Sequence, residues 1–249
     1  MAGGDGSRLL PMTRVMSKHL LPVYDKPMIF YPLSVLQIAG IRDVLIISKS
    51  RDIPMYEALL RDAADFGLNL SFAEQDKPSG IADAFRIGKT FLSGAPCALI
   101  LGDNLFFGSG FGQLLRDINQ SLDENFLLSV VSSNPGAYGV VELSSGGKIL
   151  SIEEKPAKPK SHNVISGLYF FNDTVCEVAN SLQPSKRGEL EITDLLSAFA
   201  SKDNLRCIQL GRGFLWMDMG SHTNLLDAGY VVKTFQERLG VTIGDYRKG

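Results

Sequence analysis

The chain has 249 residues, 45% of them hydrophobic, with a formal net charge of −2 and a pI near 5.9. That length fits one large α/β domain and supplies enough apolar residues for a sizeable core. Scattered basic residues and a slightly acidic balance exclude a nucleic acid or a membrane surface recognised by bulk charge. The sequence also lacks a bilayer-length apolar stretch and a signal-peptide run, so a cytoplasmic protein is expected.

The first feature in chain order is Ala2-Gly3-Gly4-Asp5-Gly6-Ser7-Arg8-Leu9, followed by Ser17-Lys18-His19. Gly3, Gly4 and Gly6 let the backbone curl so that successive N–H groups can turn toward one anion, and Arg8 and Lys18 add positive charge. This chemistry suits a nucleoside triphosphate. Taken alone, the cluster is equally a plain turn. The dinucleotide fingerprint fails, because Leu9 stands where the third glycine belongs and Pro22 and Pro27 bracket the nearest acid, Asp25. A Walker loop fails for want of Gly-Lys-Ser/Thr. Only Met1 and Ala2 precede the loop, so a sheet lacking the buried strand that normally leads into such a loop is expected.

Apolar runs then alternate with helical spacing. Strands are expected at Val44–Ile47, Leu68–Ala73, Ala98–Leu101 and Phe126–Val131, and helices over Met28–Ala39, Ile53–Asp62, Ile81–Phe91 and Phe111–Asn119. Gly40, Gly67 and Gly94 fall where left-handed caps are wanted. This alternation predicts a Rossmann-like α/β fold with a mostly parallel sheet and helices on both faces. Further on, shorter strands are expected at Gly139–Leu143, Ile149–Glu153, Val164–Phe171 and Leu205–Leu210, with a hairpin at Ser144–Lys148. Helices follow over Thr174–Ser181, Ile192–Ala200 and from Ser221 to about Arg238. We read residues 1–249 as a single domain, with a nucleotide part over roughly 1–135, a sugar-phosphate part over roughly 136–220 and a terminal helix over 221–238.

Cys97, Cys176 and Cys207 are widely spaced in apolar surroundings and read as reduced buried thiols. His19, His162 and His222 form no metal-ligand pattern, and ordinary loop or capping roles are expected for most of them. Asp103 follows the apolar run Cys97–Leu101, at the carboxyl end of a core strand, and Asp218 closes a second apolar segment before Gly220. Each alone is equally a turn aspartate; together with phosphate oxygens they make an octahedral Mg²⁺ site. Glu154 and Lys155 end a strand, and a bend at Pro156 lets both reach one ligand, although a solvated charge run reads the same way. Gln75 and the backbone at Gly80 lie where a strand leads into a helix and could read a base edge. The acids of Gly188–Asp194 read as the first turn of a helix.

The ordered set G-G-D-G-S-R-L, S-K-H-L-L-P-V-Y-D-K-P, L-G-D-N-L-F-F-G, Y-G-V-V-E, E-E-K-P, G-L-Y-F-F, G-E-L-E-I-T-D and G-R-G-F-L-W-M-D-M-G runs through nearly the whole chain. It resembles the sugar nucleotidyltransferases, most closely the glucose-1-phosphate thymidylyltransferase family. The resemblance implies a nucleotide-diphospho-sugar transferase fold and transfer of a thymidylyl group from dTTP to glucose 1-phosphate, at the first step of dTDP-rhamnose or deoxysugar synthesis. By the same resemblance Gly3, Gly4, Gly6, Arg8 and Lys18 hold the triphosphate, Gln75 and Gly80 recognise the pyrimidine, and Asp103 and Asp218 bind Mg²⁺. Tyr138, Gly139, Glu154, Lys155, Gly167 and Tyr169 line the sugar-phosphate pocket. Arg8, Lys18, Asp103 and Lys155 form the catalytic set, and a homotetramer is implied. The alternatives are a uridylyltransferase using UTP and a truncated, non-catalytic nucleotide-binding paralogue. The chain departs from the family pattern in lacking a hydrophobic first strand and a C-terminal extension, in His19 for a common glutamine, and in Met219 for a common threonine.

Overall fold

The computed structural model describes residues 1–121 and 123–248. Its elements are β1 (Pro22–Val23), β2 (Lys26–Pro27), α1 (Phe30–Ile38), β3 (Asp43–Ser48), α2 (Ile53–Leu59), β4 (Asn69–Glu74), α3 (Ala84–Ile87), α4 (Lys89–Leu92), β5 (Cys97–Ile100), β6 (Asn104–Gly108) and α5 (Phe111–Asn119). They continue with β7 (Phe126–Val131), β8 (Gly139–Leu143), β9 (Ile149–Glu154), β10 (Asn163–Phe171), α6 (Val175–Ser181), α7 (Ile192–Ala200), β11 (Arg206–Gln209), β12 (Phe214–Asp218) and α8 (His222–Leu239). Two compact units interleave along the chain. The first comprises Met1–Pro78, Ile100–Arg116 and Gly213–Gly249, the second Ser79–Leu99 and Asp117–Arg212.

In the first unit β3 and β4 pair in parallel, Val44 opposite Leu70 and Ser48 opposite Glu74. Helix α1 is buried along almost its whole length, and its Pro32 sits in the first turn, where a missing N–H leaves no hydrogen bond unmade. β6 and β12 pair antiparallel, Asn104 opposite Asp218 and Gly108 opposite Phe214. Over them lies α8, whose start is fixed by the Ser221 hydroxyl accepting from Asn224 N and whose end is fixed by Gly240 at φ 66°. Ala228 and Val232 on α8 join Met28, Tyr31, Leu105, Met219 and Ile243 in one buried cluster. Met219, in the place of the family's threonine, is an apolar core residue.

Met1 and Ala2 take up part of the place expected for a leading strand. Ala2 N donates to Ile47 O, the Ser48 hydroxyl to Ala2 O, Gly102 N to Met1 O and the Met1 ammonium to Ile100 O. These bonds satisfy backbone groups that an open slot would leave bare.

The second unit is built on a sheet of order β11-β7-β10-β8-β9, with β5 also pairing to β10. β8 and β9 form the expected hairpin, closed by Ser144 N on Lys148 O. β10 slips register on β7 between Ile165 and Tyr169, where Gly167 adopts φ 64°. Phe171 lies 5.1 Å from Phe85 and 5.8 Å from Phe199 in its core. The buried Asn125 amide ties three elements together, donating to Asn204 O and accepting from Asn172 N, while its carbonyl receives Arg206 N.

The α/β, Rossmann-like class is as expected, and strand orientation is more mixed than the alternation of elements predicts. β3–β4 and β11–β7 run parallel, whereas β7–β10, β10–β8, β8–β9 and β6–β12 run antiparallel. Short hairpin connections and strands that close from distant sequence reverse direction without a crossover helix. The helix expected over Ile81–Phe91 divides into α3 and α4 around Gly88, a residue that weakens a helix interior. The three cysteines are free thiols, Cys176 buried and the others half-buried.

The segment after α8 is latched to the first unit by Tyr246, which is fully buried, packs edge-on against Phe30 at 4.9 Å and donates from its hydroxyl to Asp62 at 3.0 Å. Tyr246→Ala is expected to lower unfolding stability by roughly 3–5 kcal/mol and Tyr246→Phe by about 1 kcal/mol, as read from urea midpoints. Equal effects would place the latch in the hydroxyl instead of the ring.

Candidate active site

In the first unit the glycine loop leaves β3's neighbour Met1–Ala2 and turns at Gly6, φ 62°, into a 3-10 turn over Ser7–Leu9. The N–H groups of Gly4, Asp5, Gly6, Ser7 and Arg8 have no hydrogen-bond partner among the described residues. A run of unpaired donors is a concavity for an anion. The loop is seated tightly: a Cβ on Gly3 would lie 3.3 Å from Gln75 Oε1, and one on Gly4 3.6 Å from the Lys18 side chain. Gln75 itself is buried at the end of β4, its N–H donating to Ser48 O.

Lys18 and Asp103 meet here, Nζ to Oδ2 at 2.5 Å, both largely buried. Burial alone would push the Asp103 carboxyl up, but Lys18 and the hydrogen bonds from Lys18 and Asn104 outweigh it and hold the group well below the usual carboxylate range. Asn104, opposite Asp218 in the β6–β12 ladder, also accepts from Trp216 Nε1 at 2.6 Å. The ladder therefore delivers Asp218 close to Asp103, whose carbonyl takes the Met219 N–H. Asp218 is raised above its ordinary value, first by burial and then by the Asp103 charge, against Arg8, whose Nη2 lies 4.0 Å away.

Two carboxylates that repel one another while partly buried are a donor set that a hard divalent cation relieves, and so they fit Mg²⁺. Among the described residues no group of three or more His, Cys, Asp or Glu is placed to hold a metal, so the remaining oxygens have to come from ligand or water. His19 backs this corner. It is 2% exposed, its Nδ1 lies 3.0 Å from the Ser17 hydroxyl and 3.3 Å from that of Tyr56, and burial followed by the Lys18 charge lowers its pKa to about 3. It is a neutral wedge against Gly102, where a Cβ would come within 2.6 Å of the ring.

The second unit carries the other expected residues. Lys155 adopts a left-handed φ of 42°, which supplies the bend expected at Pro156 and brings its Nζ 3.5 Å from Glu154 Oε1 instead of sending it to the opposite face. Glu154 pairs in register with Gly139, where a Cβ would meet Thr193, Ile165 and Glu154 within 3.1–3.5 Å. Burial, then the competing charges of Lys155, Glu191 and Arg187, leave the Glu154 carboxyl raised. Tyr138 O accepts from Lys155 N. Tyr169 is buried and stacks on Phe171, and Gly167 forms the bulge of β10. Gly80, φ 98°, runs against the Leu190 backbone, where a Cβ would lie within 2.3–2.8 Å, so the position admits glycine alone.

Two residues join this cluster that sequence reading left aside. Arg187 clamps Glu191 through Nε at 3.0 Å and Nη2 at 2.7 Å and sits 3.5 Å from Glu154. The buried Thr193 hydroxyl has no hydrogen-bond partner among the described residues. The signal for Arg187 was its i,i+4 spacing to Glu191; Thr193 carried none, since it reads as an ordinary first-turn residue.

A nucleotidyl transferase family model matches residues 1–234. The chain is 46% identical over 244 residues to a glucose-1-phosphate thymidylyltransferase of Mycolicibacterium smegmatis, covering 98% of this chain and 84% of that one. It is 46% identical over 236 residues to the enzyme of the same name from Neisseria meningitidis serogroup A, covering 95% and 82%. A Bacillus anthracis crystal structure assigned as a glucose-1-phosphate thymidylyltransferase, in complex with sucrose, superposes with a TM-score of 0.87 at 32% identity, covering 100% of this chain and 97% of that one. The fold is shared with a UDP-glucose pyrophosphorylase complexed with UDP-glucose, TM-score 0.81 at 23% identity, covering 95% and 97%. Among the described residues no helix is long and apolar enough to cross a membrane.

Since burial and the Asp103 charge both disfavour the ionised form of Asp218, Asp218→Asn is expected to raise the stability of the metal-free protein, as read from urea midpoints, by roughly 0.5–2 kcal/mol. Asp103→Asn, which strands Lys18, is expected to lower it by about 3 kcal/mol. A destabilised Asp218→Asn would show that the two carboxylates do not strain one another.

Proposed function

Because the chain belongs to the nucleotidyl transferase family, we propose that it transfers a thymidylyl group from dTTP to glucose 1-phosphate, giving dTDP-glucose and pyrophosphate. The run of unpaired N–H groups from Gly4 to Arg8, flanked by the Arg8 and Lys18 side chains, carries the reading, because donors and cations so grouped suit a triphosphate. The names of relatives at 44–46% identity support a thymidine nucleotide and glucose 1-phosphate as the substrates.

In the reaction a phosphate oxygen of glucose 1-phosphate forms a bond to the α-phosphorus of dTTP, in line with the α–β bridging oxygen, and that bond breaks to release pyrophosphate. The attacking oxygen is already anionic at neutral pH, so no general base is assigned and no covalent enzyme intermediate forms. The difficulty is repulsion between two polyanions. Arg8 and Lys18 bind the triphosphate and offset charge that grows on the α-phosphate and the leaving group. Gln75 and the backbone at Gly80 recognise the pyrimidine. Glu154, its carboxyl half-buried, takes sugar hydroxyls; Lys155 and Arg187 take the sugar phosphate. Gly139 and Gly167 give the sugar room against the backbone, with Tyr138 and Tyr169 supporting that pocket. Asp103 and Asp218 would hold Mg²⁺, which supplies charge neutralisation on phosphate oxygens when bound. We place the protein in the cytoplasm as a homotetramer, acting first in dTDP-rhamnose or related deoxysugar synthesis.

The test is incubation of the purified chain with glucose 1-phosphate, Mg²⁺ and either dTTP or UTP, followed by pyrophosphate release. Release with dTTP preferred is expected; preference for UTP would make it a uridylyltransferase, and folded protein inert with both would be a non-catalytic nucleotide binder. Asp103→Asn should cut kcat roughly 100-fold with little change in dTTP affinity, and unchanged turnover at saturating Mg²⁺ would remove Asp103 from the metal site. Lys155→Ala should raise KM for glucose 1-phosphate roughly tenfold to a hundredfold; a rise confined to dTTP would reassign it.

A further inference from the structure

The glycine loop carries an acid at its centre. Asp5 stands between Gly4 and Gly6, among the unpaired N–H groups, and a carboxylate there repels any polyanion the loop receives. Its partner is Lys49, whose Nζ donates to Asp5 Oδ1. Lys49 directly follows the last residue of β3, at the carboxyl end of a parallel strand, where open α/β sheets bind ligands. Its side chain is 18% exposed against 56% for Asp5, so the ammonium is the shielded member of the pair. The next residue, Ser50, is fixed by Asp76, which accepts from Ser50 N and Oγ at 2.9 Å each and adjoins Gln75. Those bonds, and after them the Lys49 charge, lower the Asp76 carboxyl below its ordinary value. Lys49 thus stands over the loop on a held backbone. An ammonium has three donors, and among the described residues Asp5 engages one of them.

We propose that Lys49 is a further polyphosphate-binding residue, whose Nζ neutralises Asp5 in the free loop and is shared between Asp5 and the phosphates of bound dTTP. The inference rests on the nucleotide reading of the loop. Asp5 then serves as the tether that keeps Lys49 turned toward the cradle, and the loop gains a cation beyond its own Arg8.

Calorimetric titration of dTTP with Mg²⁺, and separately of glucose 1-phosphate, into wild type, Lys49→Met, Asp5→Asn and the double variant decides the matter, with unfolding midpoints confirming that each is folded. Lys49→Met should bind dTTP about tenfold more weakly with glucose 1-phosphate unchanged, and Lys49→Arg should restore binding. The double variant should bind dTTP about tenfold more weakly than Asp5→Asn alone. Equal affinity of the double variant and Asp5→Asn would overturn the proposal, since Lys49 would then act only as a counter-charge to Asp5; so would a Lys49→Met indistinguishable from wild type. Folded wild-type protein that fails to bind dTTP would instead sink the nucleotide reading itself, whatever the variants do.

Discussion

Two partly desolvated carboxylates, Asp103 and Asp218, are placed against one another by the β6–β12 ladder, and much of the first unit is arranged around keeping them there. Like charges at that depth separate unless the scaffold resists. The resistance comes from several directions: Lys18 on one carboxylate, Asn104 and Trp216 fixing the strand between them, Met219 N–H on the Asp103 carbonyl, and Gly220 N–H on Asp218. The asymmetry of the pair follows. Asp103 has a buried cation in direct contact and is held ionised, whereas Asp218 has the distant, exposed Arg8 and a weaker influence of Lys18, and is raised.

The phosphate loop inherits its shape from the same corner. Lys18 touches the carboxylate with its tip and the loop with its stem, since Gly4 and Gly6 both pack on it. His19, one residue on, is driven neutral by burial and fills the space beside Gly102, so the turn bearing Asp103 is supported from behind by a group carrying no charge of its own. That explains why a histidine is accommodated where the family commonly has glutamine: Ser17 and Tyr56 satisfy its Nδ1.

Much of the fold was legible because burial writes itself into short-range pattern. The strands at 126–131 and 139–143 and the helices at 111–119 and 192–200 appear with the expected bounds, since their apolar spacing answers to one neighbour. What escaped reading depends on distant partners. β6 was left without an assignment because its ladder mate lies 106 to 114 residues later, from Gly108 opposite Phe214 back to Asn104 opposite Asp218. The break at Gly88 was overridden by the apolar spacing on either side. At the candidate site the loop glycines, both aspartates and the bend at Lys155 were visible in the residues themselves. Arg187, Thr193 and Lys49 were not, because their significance lies in whom they face: Glu154 and Glu191, the crowded backbone at Gly139, and an aspartate 44 residues earlier.

The interleaving of the two units sets an order for synthesis. The second unit draws on nothing beyond Arg212, so all its strands are available while the chain is still on the ribosome. The first unit, although it begins at Met1, lacks β12 and α8 until the last segment emerges, and until then Met28, Tyr31 and Leu105 have none of the cover that Met219, Ala228, Val232 and Ile243 provide. A nascent chain whose emerged part ends just before Gly213 therefore carries a finished unit together with an open apolar face, and that face is what a chaperone would hold.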